Sequence, residues 1–369
     1  MYKFKDILYV KGRIGWQALK KDEYLTNGDC YLITGVNINN DYTIDYKSCY
    51  FVSKKRYEKD EAIQLKNGDI ILTKDGTIGK IGLISNLNKP ATLNSHLFLI
   101  RNLRQDILNT KFLFYLLQSN KFTNYSINNT YGSNIPAFTQ KSFNEFETEL
   151  PALEKQNQVA HILSSIDAQI KRNNDMVQKL QVLTHNTFDY FSKHYNNNNN
   201  KITLNDIIIE NNKSQIQVNN VINGIGEIPF FTSGESILYT NKSLANGFNI
   251  FLSTGGNAKV QYYYGDVSYS IDTWCVTSKN NLQYYLYEYL KHIESQMDRL
   301  YFHGTGLKHL QKPLFLKSVI DVPSDNIVQK FNSIVEPIYI QTSKILQSNV
   351  KLQKIKEKLL PLLINQQLS

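Results

Sequence analysis

The chain has 369 residues, 41% hydrophobic and 20% charged, which is room for two globular domains with cores of their own. No run of about 18 apolar residues exists, and the opening Met1-Tyr2-Lys3-Phe4-Lys5-Asp6 has no apolar signal core, so the expected setting is cytoplasmic, without a membrane. The net charge of +9 points to a polyanionic partner, but it is uneven. Residues 1–150 hold 20 Lys/Arg against 15 Asp/Glu, whereas residues 200–322 hold 10 of each, so any polyanion contact there needs a local patch. Cys30, Cys49 and Cys275 are odd in number and far apart, which gives no disulfide framework and no metal spacing.

Residues 1–150 read as a strand-rich α+β module. Ile70-Ile71-Leu72-Thr73 and Ile81-Gly82-Leu83-Ile84 are short apolar runs around Lys74-Asp75-Gly76-Thr77-Ile78-Gly79-Lys80, a strand–turn–strand with Asp-Gly as the turn signal. A helix is predicted over Thr110–Leu117. From Val159 through Ile162, Leu163, Ile166, Ile170, Val177, Leu180 and Leu183, apolar residues recur at steps of three and four, the seam of a coiled coil. The run Asn196–Asn200 reads as a flexible junction. Residues 196–322 read as a second module. Ile250–Ser253, the turn Thr254-Gly255-Gly256-Asn257-Ala258-Lys259 and Val260–Tyr262 repeat the strand–turn–strand, and Leu282–Leu290 repeats the helix. Phe331, Ile334, Val335, Ile338, Ile345, Leu352, Ile355, Leu359 and Leu362 then form a second seam, with Pro337 expected to kink the helix. Each long helix is about 40 residues, roughly 60 Å at 1.5 Å per residue. Asn173 and Asn349 fall on or beside the seams, where a buried amide fixes register.

The two halves repeat at a fixed offset. Gly132-Ser133-Asn134-Ile135, Phe143, Phe146, Leu150 and Pro151 correspond to Gly304-Thr305-Gly306-Leu307, Phe315, Ser318, Val322 and Pro323, all 172 residues apart. The same offset pairs Ile162 with Ile334, Ile166 with Ile338, Leu180 with Leu352 and Leu183 with Ile355. The expected organisation is a module over 1–150, a helix over 151–195, a module over 196–322 and a helix over 323–369. In fold class this is α+β, two pseudo-repeated domains separated by two long helices that form an antiparallel coiled coil.

Catalytic signatures are missing. The 8 prolines are all isolated, so the Pro-Pro motif with which amino-methyltransferases grip a base cannot form. Gly76-Thr77-Ile78-Gly79-Lys80 lacks the glycine spacing and hydroxyl of a phosphate loop, and Gly224-Ile225-Gly226 lacks a third glycine. His303 and His309 have no carboxylate or cysteine paired with them in the sequence. The chain reads as a binder, with no metal or cofactor of its own.

Gly68–Lys80, Gly132-Ser133-Asn134-Ile135-Pro136 and Leu150-Pro151-Ala152-Leu153-Glu154-Lys155-Gln156, with Ile228–Gly234, Tyr239-Thr240-Asn241-Lys242 and Asp272-Thr273 in the second half, resemble the specificity subunit of type I restriction–modification enzymes. The resemblance covers essentially the whole chain. It departs at Val322-Pro323-Ser324-Asp325-Asn326, which lacks the usual Leu-Pro and Glu-Gln, and at Lys308, which stands where the first module has Pro136. It implies two target-recognition domains, each reading half of a split sequence in double-stranded DNA. It implies helices that dock two methyltransferase subunits, and motor–nuclease subunits joining these. S-adenosylmethionine, ATP and Mg²⁺ then belong to the partner subunits.

The loops are the expected DNA-reading parts, with Lys or Arg on phosphates and amides or hydroxyls on base edges. The candidates are Arg13 and Gln17, then Lys74, Thr77 and Lys80, then Tyr131, Ser133 and Asn134, then Thr254, Asn257 and Lys259, then His303, Thr305, Lys308 and His309. For each, a solvated or packing role is the plain alternative. Competing readings of the whole chain are a stand-alone DNA-binding regulator without methyltransferase partners, a nuclease, and a coiled-coil scaffold.

Overall fold

A computed structural model describes residues 1–13, 18–132, 136–194, 200–221, 226–234 and 236–365. They fall into two compact units, one of Met1–Asp167 with Lys356–Ser369 and one of Ala168–Ile355. The break falls inside the first long helix and not at its start.

The first unit runs β1 (Tyr2–Lys3), α1 (Phe4–Ile7), β2 (Leu8–Gly12), β3 (Cys30–Ile33), β4 (Tyr50–Val52), α2 (Lys54–Lys59), β5 (Ile70–Thr73), β6 (Ile81–Leu83), β7 (Ala91–Leu93) and β8 (Leu97–Asn102). It continues with α3 (Thr110–Leu116), α4 (Asn120–Asn128), β9 (Thr130–Tyr131), β10 (Ala137–Phe138), α5 (Gln140–Asn144), β11 (Glu147–Thr148) and the start of α6 (Leu153–His194). One antiparallel sheet has the order β2-β8-β5-β6, a second has β4-β3-β7 with β3 and β7 parallel, and β1–β11 and β9–β10 are two-stranded. β5 and β8 are apolar on both faces because each face meets a core. Ile70, Leu72, Phe98 and Ile100 enter the helix-covered side, and Ile71, Leu97 and Leu99 the other. Asn109 and Ser119 cap α3 and α4 by accepting from Phe112 N–H and Phe122 N–H. The second of these helices is too short to show a period in the sequence.

The second unit repeats this plan. Its elements are β12 (Asn200–Thr203), α7 (Leu204–Ile207), β13 (Ile208–Glu210), β14 (Ile228–Phe231), β15 (Leu238–Thr240), β16 (Phe248–Ser253), β17 (Val260–Tyr264), β18 (Ser268–Tyr269), β19 (Thr273–Ser278), α8 (Gln283–His292) and α9 (Glu294–Leu300). Then come β20 (Phe302–His303), β21 (His309–Leu310), α10 (Lys312–Leu316), β22 (Val319–Val322) and α11 (Asp325–Ile364). The sheets are β13-β19-β16-β17 and β15-β14-β18, with pairs β12–β22 and β20–β21. Adding eleven to every strand number of the first unit reproduces the pairing of the second, including the one parallel pair, β14–β18. Even the entry to the module is shared. Phe4 N–H donates to the Phe146 carbonyl, and Leu204 N–H to that of Ser318, each at 3.0 Å.

The helices are anchored in the module cores. Val159, Ala160 and Leu163 of α6 join Leu363 and Ile364 of α11 in the first unit. In the second, Phe188 and Phe191 of α6 join Val328, Phe331, Val335 and Tyr339 of α11. Low numbers on α6 thus meet high numbers on α11 in the first unit, and the reverse holds in the second, so the pairing is antiparallel. In the second unit, Asn173 Nδ2 donates to Asn349 Oδ1 at 2.7 Å, and Asn349 Nδ2 to Asn174 Oδ1 at 2.8 Å. In the first, buried Lys356 donates to Asp167 at 2.7 Å and lies over the rings of Tyr42 and Tyr115. α11 runs uninterrupted through Pro337, which is exposed, and the carbonyl it leaves unpaired, that of Ser333, belongs to an exposed residue. Of the expected junction, Asn200 opens β12, and Asn196–Asn199 lie outside the described residues. All three cysteines are free and buried, and burial pushes the Cys49 and Cys275 thiols up to about 12.

Candidate nucleic-acid interface

In each unit one hydroxyl at the end of a central strand shapes the turn that follows. Thr73 Oγ1 accepts from Lys80 N–H at 2.9 Å and donates to the Thr77 carbonyl. Ser253 Oγ accepts from Lys259 N–H at 3.0 Å and donates to the Asn257 carbonyl at 2.6 Å. The first turn needs its glycines, since Gly76 and Gly79 have φ of 68° and 89°. This is a hairpin turn and not a phosphate loop.

The lysine closing each turn ties it to a second loop. Lys80 Nζ donates to the Gly35 carbonyl at 3.3 Å, and Lys259 Nζ to that of Gly234 at 2.7 Å. Both glycines follow the central strand of the three-stranded sheet, β3 or β14. A third loop meets the same turn. Phe138 N–H donates to the Lys74 carbonyl at 2.7 Å, with Asp75 bridged to Ala137. Correspondingly, Leu310 N–H donates to the Thr254 carbonyl at 3.0 Å, with Gly255 bridged to His309. Each unit therefore gathers three loops onto one edge. In the second, Gly304 has no room for a side chain, because a Cβ would lie 2.5 Å from the Leu307 carbonyl oxygen.

Most candidate residues lie on these edges. Lys74, Thr77, Lys80 and Tyr131 gather in the first unit, and Thr254, Asn257, Lys259, His303, Thr305, Lys308 and His309 in the second. Thr77, Tyr131, Asn257, His303, Thr305 and His309 are exposed. The lysines are more committed. Lys74 pairs with Asp75 at 3.1 Å, and Lys308 with Asp298 at 3.0 Å. Asp298 also accepts from Ala258 N–H at 2.9 Å, and this bond, then Lys308, holds its carboxyl below the usual range. Thr254 Oγ1 donates to the Asp272 carbonyl at 2.7 Å.

Arg13 does not join this edge. It is buried, with Nε donating to the Leu93 carbonyl at 3.1 Å and Nη1 paired to Asp60. Burial pulls its pKa down, against the pull of Asp60. An arginine in a glycine-rich stretch looked like a base reader, but here it ties β7 to the segment after α2 from inside. Gln17, Ser133 and Asn134 lie outside the described residues.

Sequence reasoning missed the loop after β3 and β14. Val36 is 82% exposed there, beside the glycine that Lys80 holds. It also missed His96, whose Nδ1 sits 2.5 Å from Asp75 Oδ1, and Ser233, whose hydroxyl donates to the Asp272 carbonyl. The signal was available for the second unit, because Thr232-Ser233-Gly234 and Asp272-Thr273 carried the family resemblance.

Residues 1–182 match the family model of the type I restriction modification DNA specificity domain. The chain is 25% identical, over 418 aligned positions, to the type I restriction enzyme MjaIX specificity subunit of Methanocaldococcus jannaschii, covering 98% of this chain and 91% of that one. The crystal structure of the type I restriction–modification S subunit from M. genitalium matches with a TM-score of 0.61 at 15% identity, covering 98% of this chain and 95% of that one, a likeness of fold. The first half of the chain is thus a type I restriction–modification DNA specificity domain, the second half repeats its strand pairing, and the chain is a relative of the specificity subunits of type I restriction–modification enzymes.

Proposed function

We propose that this chain is the sequence-reading, non-catalytic subunit of a type I restriction–modification complex, and that each module reads one half of a bipartite double-stranded DNA target. The observation that carries this reading is the duplicated three-loop edge. Both modules hold the same loops by the same bonds, yet present different side chains. Thr77 and Tyr131 stand on one edge, and Asn257, His303, Thr305 and His309 on the other. Equal scaffolds with unequal surfaces suit unlike half-sites. Val36 and Leu307, both exposed, offer apolar contact of the kind that thymine methyls take. Lys74, Lys80, Lys259 and Lys308 serve mainly to hold the loops, and their charge adds attraction for phosphates.

Two methyltransferase subunits dock on the long helices, and motor–nuclease subunits join them. S-adenosylmethionine, ATP and Mg²⁺ act on those partners, in the cytoplasm. Apolar residues left on the helix surfaces favour docking over a stand-alone regulator. Val182 is 59% exposed, Leu183 50% and Ile355 47%, on helices whose inner faces are already covered. No helix among the described residues is long and apolar enough to cross a membrane.

The reading is tested by incubating the purified chain with target-bearing DNA and labelled S-adenosylmethionine. No methyl transfer is expected from the chain alone, and transfer is expected once methyltransferase subunits are added. Transfer by the chain alone would overturn it.

A further inference from the structure

In the second unit, α6 and α8 bring two histidines and an aspartate together. His185 and Asp189 are one helical turn apart on α6, so both face the same side. His292 is the last residue of α8. His185 Nε2 lies 4.0 Å from Asp189 Oδ1, and His292 Nδ1 lies 3.8 Å from the same oxygen. The two imidazoles stack with centroids 5.8 Å apart. One donor atom from each residue fits within a mutual 4.8 Å.

We propose that His185, Asp189 and His292 bind a divalent transition metal such as Zn²⁺, which fastens the end of α6 to the end of α8. Two imidazoles and a carboxylate with an open fourth position are a ligand set for such an ion. Tetrahedral coordination needs donor atoms about 3.3 Å apart at metal–ligand distances near 2.0–2.1 Å. From 4.0 and 3.8 Å, the two imidazole nitrogens must each close on the Asp189 oxygen by roughly 0.5–0.7 Å, and none of the three side chains is fully buried.

A second observation concerns Glu288. This carboxylate is buried, accepts from Tyr339 Oη through Oε1, and has Oε2 3.4 Å from His185 Nδ1. It is placed to accept a hydrogen bond from the Nδ1–H of His185, a tautomer that leaves Nε2 with its lone pair toward Asp189. A carboxylate that orients a ligating imidazole is a frequent second layer of metal sites. Charge points the same way. Among the described residues, the only cationic partners within 4.0 Å of Asp189 and Glu288 are the imidazoles themselves. With neutral imidazoles the group carries two negative charges, which a divalent ion balances. The C-terminus of α8 adds a favourable dipole for a cation at His292.

The test uses the full, untagged chain stripped with chelator and titrated with Co²⁺, followed by Zn²⁺. The expected result is one Co²⁺ per chain with visible d–d absorption, displaced by Zn²⁺, and a melting temperature that rises with Zn²⁺. His292→Ala and Asp189→Asn should each weaken binding by at least tenfold. Glu288→Gln should weaken it about tenfold while the Co²⁺ spectrum persists. The cross-strand pair His303 and His309 is another imidazole pair, so a His303→Ala/His309→Ala variant is included and should keep the Co²⁺ signal. No uptake by the native chain would overturn the proposal. So would uptake that survives His292→Ala with the native fold intact, or that is lost only in the His303→Ala/His309→Ala variant.

Discussion

The residues that hold the loops and those free to meet a partner are largely different, and burial separates them. Arg13 and Asp60 form a buried pair that joins loop and strand segments of the first module. Asp60→Ala would strand a guanidinium inside the protein, and breaking such a pair costs about 3–5 kcal/mol. Thr77→Ala removes an exposed hydroxyl, and its stability change should stay within about 0.5 kcal/mol. Denaturant unfolding followed with DNA binding separates the two. The aspartate variant should lower the unfolding midpoint sharply, and the threonine variant should weaken DNA binding at a native midpoint. An Asp60→Ala protein as stable as the native chain would contradict the account of Arg13. At this scale the sequence was only partly legible. Thr77 and Asn257 could be picked out as turn residues. Whether an arginine points inward depends on Asp60, Thr92 and Leu93, which lie far from it in sequence.

Among the elements, the long helices and the strand–turn–strand pairs were the most legible, because both announce themselves by period. The amides on the seam proved to be paired, Asn173 to Asn349 and Asn349 to Asn174, in the stretch of helix belonging to the second unit. Asn349→Ala should leave Asn173 and Asn174 without these partners and, as neither amide is fully buried, cost about 0.5–1.5 kcal/mol. Replacing Asn173, Asn174 and Asn349 together by apolar residues should recover much of that loss. Unfolding midpoints of the two variants decide this, and a harmless Asn349→Ala would contradict it. Less legible was where the modules end. Leu163 and Leu359 look like seam residues in the sequence, yet both pack into the core of the first unit. Periodicity gives a helix its apolar face but not the surface that this face meets. On the proposed reading, the helices set the spacer. One added turn of four residues in each, after Asn174 and after Gln347, advances each helix by about 6 Å. At about 3.4 Å per base pair, the unread spacer should lengthen by one to two base pairs, with both half-sequences unchanged. Methylation by the reassembled complex reads this out, and a complex that keeps the original spacing would show that the helices do not set the distance.

For the molecule as a whole, the clearest property is duplication. A constant offset in the sequence became an identical strand pairing in the structure, down to a single parallel pair in each module. The repeat was legible because the same buried positions recur, such as Phe143 with Phe315. The target bases were not, because they depend on how each loop edge presents its side chains. Duplicated scaffolds with unlike edges predict a target in two parts. The direct measurement is to map methylated bases across the genome of cells with and without this gene. A methylated motif of two unlike half-sequences around an unspecified spacer, present only with the gene, is the predicted result. A methylome unchanged by the gene in cells that make active methyltransferase subunits, or a single uninterrupted motif, would contradict the account.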